Sequence, residues 1–315
     1  MEYRYMIFAL LLLPLAAALG PMGGNGAPEG PYYEARTEVM GSAYENTVCK
    51  TDFMVGLLES TMENVNDSEE LQGDIDSLEA DMDVLQGYVD EGDIIGFRDY
   101  LQDEYSPHMR QAKENIMAKR QGVGGPARQQ LREDYESLYD EYLSCNDESL
   151  GRFSEAKVNA FEAALDKAEE RASALGEKGV DTGELTSLIE EARSEIVEPL
   201  QDALDSAEDG QDVRDAIKSY CLFNGCKEGV NFHFWVKFEA LKLQAILDSI
   251  EADAEEAGLS DRVEDAREDL EAVDDSLEDV GTGQYPEGSG DPIAENLKSA
   301  AQTIKEILSA LRSSS

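Results

Sequence analysis

The chain has 315 residues, 69 of them acidic and 26 basic, giving a formal net charge of −43 and an isoelectric point near 4.1. A surface this negative repels phosphate and excludes nucleic acid as a partner. Apolar residues make up 41% of the chain and aromatic ones 7%, enough for one to three domains with modest cores.

Acidic and apolar residues alternate along the sequence, so the charge is not gathered into a tail. A chain of this charge density is either disordered or folded in concentrated salt. At about 1 M ionic strength the Debye length is roughly 3 Å, and surface carboxylates hardly repel one another. Helical spacing of the apolar residues, which a disordered polyelectrolyte has no reason to keep, selects the folded reading. The composition is therefore of the halophilic type, with monovalent cations expected to condense on the surface.

At the N-terminus, Arg4 precedes the almost wholly apolar run from Met6 to Leu19, MIFALLLLPLAAAL. Ala16 and Ala18 supply the small pair that signal peptidase needs, so residues 1–19 read as a secretory signal peptide. The run is short for a bilayer span and Pro14 interrupts it, with a retained anchor as the alternative. The expected location is extracellular or the cell surface, with membrane contact only if the signal is kept. Residues 20–31, GPMGGNGAPEGP, form a Gly/Pro-rich spacer.

From Tyr32 onward the period is that of amphipathic helices. Leu71, Ile75, Leu78, Met82, Leu85 and Val89 recur in steps of three and four. So do Leu185, Leu188, Ala192, Ile196, Leu200, Ala203 and Ala207. Val263, Ala266, Leu270, Val273, Leu277 and Val280 make a third stripe; Ile293, Leu297, Ala300, Ile304, Leu308 and Leu311 make a fourth. Each stripe packs against a partner helix and leaves carboxylates outward. No period-two stretch competes, and the predicted fold is all-α, built from antiparallel helical hairpins in elongated tandem bundles with coiled-coil-like packing.

Turn signals agree. Gly92-Asp93 stops one helix and caps the next, Asp181 with Glu184 fits a capping box, and Gly258-Leu259-Ser260 is a stop and restart. Gly122 to Pro126 must break helix, and residues 281–290, GTGQYPEGSG, read as a loop. A weak internal repeat divides the body into helical units 32–144, 145–225 and 226–315. Cys49, Cys145 and Cys226 each follow a tyrosine and precede a hairpin, and Glu191-Ala192-Arg193 matches Asp265-Ala266-Arg267 in the returning helices. Any acidic helical hairpin drawn from the same small alphabet would align nearly as well.

Four cysteines in an exported chain, Cys49, Cys145, Cys221 and Cys226, are candidates for two disulfides. Three connectivities are possible; the most local pairs Cys221 with Cys226, since Asn224-Gly225 can turn the chain, and would leave Cys49 with Cys145. The spacing suits neither a thioredoxin-type redox pair nor a zinc site. The two histidines, His108 and His233, read as surface or packing residues, since neither follows a glutamate at the spacing a di-iron bundle uses. Tyr220, Phe223, Phe232, Phe234, Trp235 and Phe238 form an aromatic cluster, read as a packed joint or as an interaction patch. Tyr135, Tyr139 and Tyr142 form a second aromatic stripe after Leu131. Carboxylate clusters such as Asp74, Asp76, Asp81 and Asp83, or Asp269, Glu271, Asp274 and Asp275, lack the EF-hand pattern and read as solvated faces. No catalytic residue, metal ligand or cofactor is expected. The functional expectation is a non-catalytic envelope or extracellular scaffold that meets a protein partner. The alternatives are a ligand- or divalent-cation-binding module and a secreted enzyme with an unrecognised site.

Overall fold

Helix ends follow the glycine and aspartate positions read from the sequence. Gly92 takes a positive φ of 69°, and the Asp93 carboxylate accepts the Gly96 amide at 2.9 Å to start the next helix. Tyr33 locks the corner from above, its hydroxyl donating to the Gly92 carbonyl at 2.9 Å. Gly258, with φ of 75°, closes another helix, and the Leu259 carbonyl accepts the Arg262 and Val263 amides of its successor. At the capping box predicted from Asp181, Thr182 is the N-cap residue, while Asp181 accepts the Gly183 amide at 3.0 Å.

The computed structural model describes residues 31–65, 69–121, 123–220, 230–280 and 290–314. All regular structure among them is helical, so the fold class is all-α. In chain order the helices are α1 (Pro31–Asn64), α2 (Glu69–Glu91), α3 (Ile94–Tyr100), α4 (Ser106–Arg120), α5 (Gly125–Gly176), α6 (Gly183–Ala192), α7 (Glu198–Asp205), α8 (Gly210–Tyr220), α9 (Val230–Glu256), α10 (Ser260–Val280) and α11 (Gly290–Ser314). Single π-helical turns join α3 to α4 (Leu101–Tyr105) and α6 to α7 (Arg193–Val197). The expected secretory signal and nearly all of the expected spacer lie outside the described residues, as does the expected loop after α10.

The chain divides into two units, Glu29–Ala160 with Ala203–Arg214, and Phe161–Asp202 with Asp215–Ser315. This differs from the three units expected. The expected boundary at 144/145 falls inside α5, which runs unbroken for 52 residues because its interior carries no proline and only Gly151 as a weak point. Cys49 and Cys145 accordingly sit within α1 and α5, not at the entrance to hairpins.

In the first unit α1, α2 and α4 pack around Leu57, Leu58, Leu71, Leu78, Leu85 and Ile116, all buried. Each such side chain contributes about 1.5–3 kcal/mol of apolar transfer. The first half of α5 lies antiparallel on α1 in a register read from successive contacts. Asn46 donates to Ser149 at 2.9 Å, Cys49 is bonded to Cys145, Phe53 stacks on Tyr142, and Ser60 donates to Asp134 at 2.6 Å. Between Phe53 and Ser60, a Cβ at Gly56 would lie 2.7 Å from a methyl of Leu138, so the small residue lets the helices close.

In the second unit α9, α10 and α11 form a three-helix bundle, with α6 against α9. The α10 and α11 stripes are buried as predicted, from Val263 to Leu277 and from Ile293 to Leu311. The 185–207 stripe is buried at Leu185, Leu188, Ala192 and Leu200, but not at Ile196, and Ala203 and Ala207 are half-buried. The π turn then inserts an extra residue, so that Val197 is buried where Ile196 was expected.

Candidate docking surface

The corner between α4 and α5 concentrates base in an acidic chain. Residues 110–132 contain Arg110, Lys113, Lys119, Arg120, Arg128 and Arg132, six of the 26 basic residues, against one acid, Glu114. Gly122 of the predicted break lies outside the described residues; within the rest, Gly125 has φ of 58° and α5 begins there, with Pro126 in its first turn. Arg128 braces the corner, donating from Nε to the Val123 carbonyl at 3.1 Å.

Three guanidinium groups line a cleft of about 420 Å³ at this corner, with Val123, Leu131, Tyr135 and Glu136 completing its walls. Arg120 is tied to α1, its Nε donating to the Thr61 hydroxyl at 3.0 Å. Burial holds its guanidinium below the usual arginine range, an effect that Asp134 and Tyr135 oppose. Its Nη2 is buried without a hydrogen-bond partner. Leu131 forms an apolar floor, and Arg132 stands 80% exposed, reaching only Glu136 on its own helix at 2.8 Å.

The tyrosine stripe continues from the cleft along α5. Tyr135 and Tyr139 stack with centroids 5.7 Å apart and planes 9° from parallel, and both rings meet Phe53 of α1. They remain 40% and 39% exposed. Asp134 behind them is committed inward; the Ser60 and Gln130 hydrogen bonds hold its carboxyl below the usual range. Arginine and tyrosine are enriched at the energetic centres of protein interfaces, and here they share one accessible face. The tyrosines were legible in the sequence. The arginines were missed, although the local reversal of charge was a usable signal.

The other predicted residues are placed as follows. Cys49 and Cys145 form a disulfide with Cα atoms 5.8 Å apart, while Cys221 and Cys226 lie outside the described residues. Phe234 and Phe238 are buried, Phe234 edge-on to Phe161 and stacked on Phe238, with Trp235 half-buried beside them. These two phenylalanines therefore belong to the core of the second unit and offer no exposed patch. Phe223 and the side chains of Tyr220, Phe232 and His233 lie outside the described residues.

Asp74 and Asp81 correct the expectation of a solvated acidic face. Both are buried, seven residues apart on α2, while Asp76 and Asp83 are exposed. Asp74 accepts from Asn115 at 2.8 Å, and Asp81 meets Nδ1 of His108 at 2.8 Å. Asp81 also accepts from the Tyr100 hydroxyl at 2.8 Å. Asn115 and His108 are themselves seven apart on α4, so two polar rungs fix the antiparallel register of α2 and α4. Burial and the Asp81 bond push the Tyr100 phenol up to about 12. The Asp81–His108 pair resembles two members of a nucleophile triad, yet no hydroxyl or thiol bonds the imidazole among the described residues. In the second unit the buried Glu239 pairs with Lys242 and lies 3.7 Å from Arg171.

A groove of about 700 Å³ between α6 and α9 is lined by Asp181, Glu184, Glu191 and Asp248 against the single cation Lys237. No group of three or more potential metal ligands occurs among the described residues, and none of their helices is long and apolar enough to cross a membrane. No protein-family model matches the chain, and neither a curated protein nor a solved structure is significantly similar to it.

Proposed function

We propose that this is an exported, salt-adapted acidic protein of the cell envelope or extracellular space, acting as a non-catalytic helical scaffold that docks through the α4–α5 corner. The observation that carries this reading is the coincidence of three guanidinium groups, a cleft and two exposed stacked tyrosines on one face of a chain that is acidic nearly everywhere else. Rigid aromatics provide contact area with little rotamer entropy to lose. The guanidinium groups provide directed donors for a partner's carboxylates. Interior packing agrees with a scaffold role: buried polar groups such as Asp74, Asp81 and Glu239 are engaged by side chains of neighbouring helices.

Site-specific photo-cross-linking tests the proposal. A benzoyl-phenylalanine in place of Tyr139, in cells that make the protein, is expected to give a discrete protein adduct that the same probe at exposed Ile95 does not. Absence of an adduct at position 139 contradicts the docking role.

A further inference from the structure

We infer that the α4–α5 corner receives an acidic helix face of a second copy of this chain, so that the protein assembles head to tail. This rests on the docking role proposed above and names its partner.

Arginines elsewhere in the chain show how its helices join. Arg193 reaches Asp166 at 2.6 Å and Glu169 at 2.9 Å, two carboxylates three residues apart on α5. Arg267 of α10 reaches Asp248 and Glu251 of α9, again three apart, both at 2.9 Å. Arg152 of α5 grips Glu45 of α1 at 2.8 Å while bonded to Glu148 on its own helix. In the Arg193 and Arg267 joints, one guanidinium lies on an acidic helix that presents carboxylates at successive turns.

Arg128 and Arg132 have the same chemistry, four residues apart on one helix, and only local partners: a backbone carbonyl and Glu136. They are the basic half of such a joint without its acidic half. The matching half is abundant on this chain's own surface. Asp261, Glu264, Asp265 and Glu268, for example, are exposed along α10 at helical spacing. Like net charge opposes self-association only while it is felt at range. In molar salt the screening length shrinks to roughly 3 Å, and contacts decide the outcome. Tyr135 and Tyr139 beside the arginines add apolar area that salt does not weaken. A basic face meeting an acidic face is heterologous, which propagates into rings or filaments.

Analytical ultracentrifugation of the full chain in molar sodium chloride provides the test. The wild type is expected to associate with rising concentration, and Arg128→Glu/Arg132→Glu to weaken association by roughly tenfold or more. Both side chains are exposed, and Arg128→Gln/Arg132→Gln, checked for unchanged helicity by circular dichroism, is expected to weaken it in the same direction. The position-139 cross-link, mapped by mass spectrometry, is expected on an acidic helix of another copy. A monomer at every concentration, or association indifferent to both substitutions, overturns the inference. A cross-link to a different protein alone also overturns it, while leaving the docking role standing.

Discussion

Tyr105 shows how a single buried side chain couples the fold to pH. Its hydroxyl lies 3.0 Å from that of Thr51, and its ring is buried where the π turn meets α4. Burial, with the Asp81 and Asp52 carboxylates acting in the same sense, pushes its phenol up to about 12 from an ordinary 10, against the Thr51 hydrogen bond. The folded state therefore holds this proton more tightly than the unfolded chain does. The associated stability is fully present below pH 10 and falls away as pH rises toward 12, by about 2–3 kcal/mol in all. Urea midpoints measured at pH 8 and pH 11.5 are expected to fall less for Tyr105→Phe than for the wild type, the remainder coming from Tyr100 and other alkaline groups. Equal losses in both proteins contradict this assignment. Asp81 and His108 show the limit of legibility at this scale. A carboxylate beside an apolar stripe reads as outward-facing, and only the register of the partner helix, which brings His108 and Asn115 opposite Asp81 and Asp74, reveals that it faces in.

Among the elements, the long apolar stripes and the glycine-aspartate turns were legible because they depend on local spacing. Helix lengths and registers were less so. Across the Arg193–Val197 π turn the buried position moves from Ile196 to Val197 before the stripe resumes at Leu200, and no composition signal announces it. Continuity of α5 was also hidden, since the tyrosine–cysteine repeat suggested a boundary that no helix breaker supports. The Cys49–Cys145 bond clips the middle of α1 to α5 across 96 residues of sequence. Closing a loop of that length constrains the unfolded chain by about 4–5 kcal/mol in the chain-entropy picture, of which 2–5 kcal/mol is commonly realised. Cys49→Ser/Cys145→Ser is expected to lower the urea midpoint accordingly, and neither cysteine should react with a thiol reagent in denatured, unreduced protein. An unchanged midpoint or labelled Cys49 would contradict the staple. Arg193 and Arg267, the arginines of the matching Glu-Ala-Arg and Asp-Ala-Arg triplets, each reach two carboxylates three residues apart on the preceding long helix.

At the scale of the molecule, fold class followed from periodicity, whereas the proposed docking face depended on which helices meet at the α4–α5 corner. The aromatic cluster drew attention because its residues crowd together in sequence, yet Phe234 and Phe238 are core. The exposed tyrosines and arginines are dispersed among polar residues, and their accessibility is set by α1 covering only one side of α5 there. On the proposed salt-adapted reading, narrow apolar seams hold like-charged helices together provided that salt screens a net −43. From about 0.1 M to about 1 M the Debye length falls from roughly 10 Å to 3 Å. Thermal unfolding followed by helical circular dichroism across that range measures this directly. A melting temperature that climbs steeply with sodium chloride, with helicity lost on desalting, is the predicted result; a melting curve indifferent to salt would contradict it.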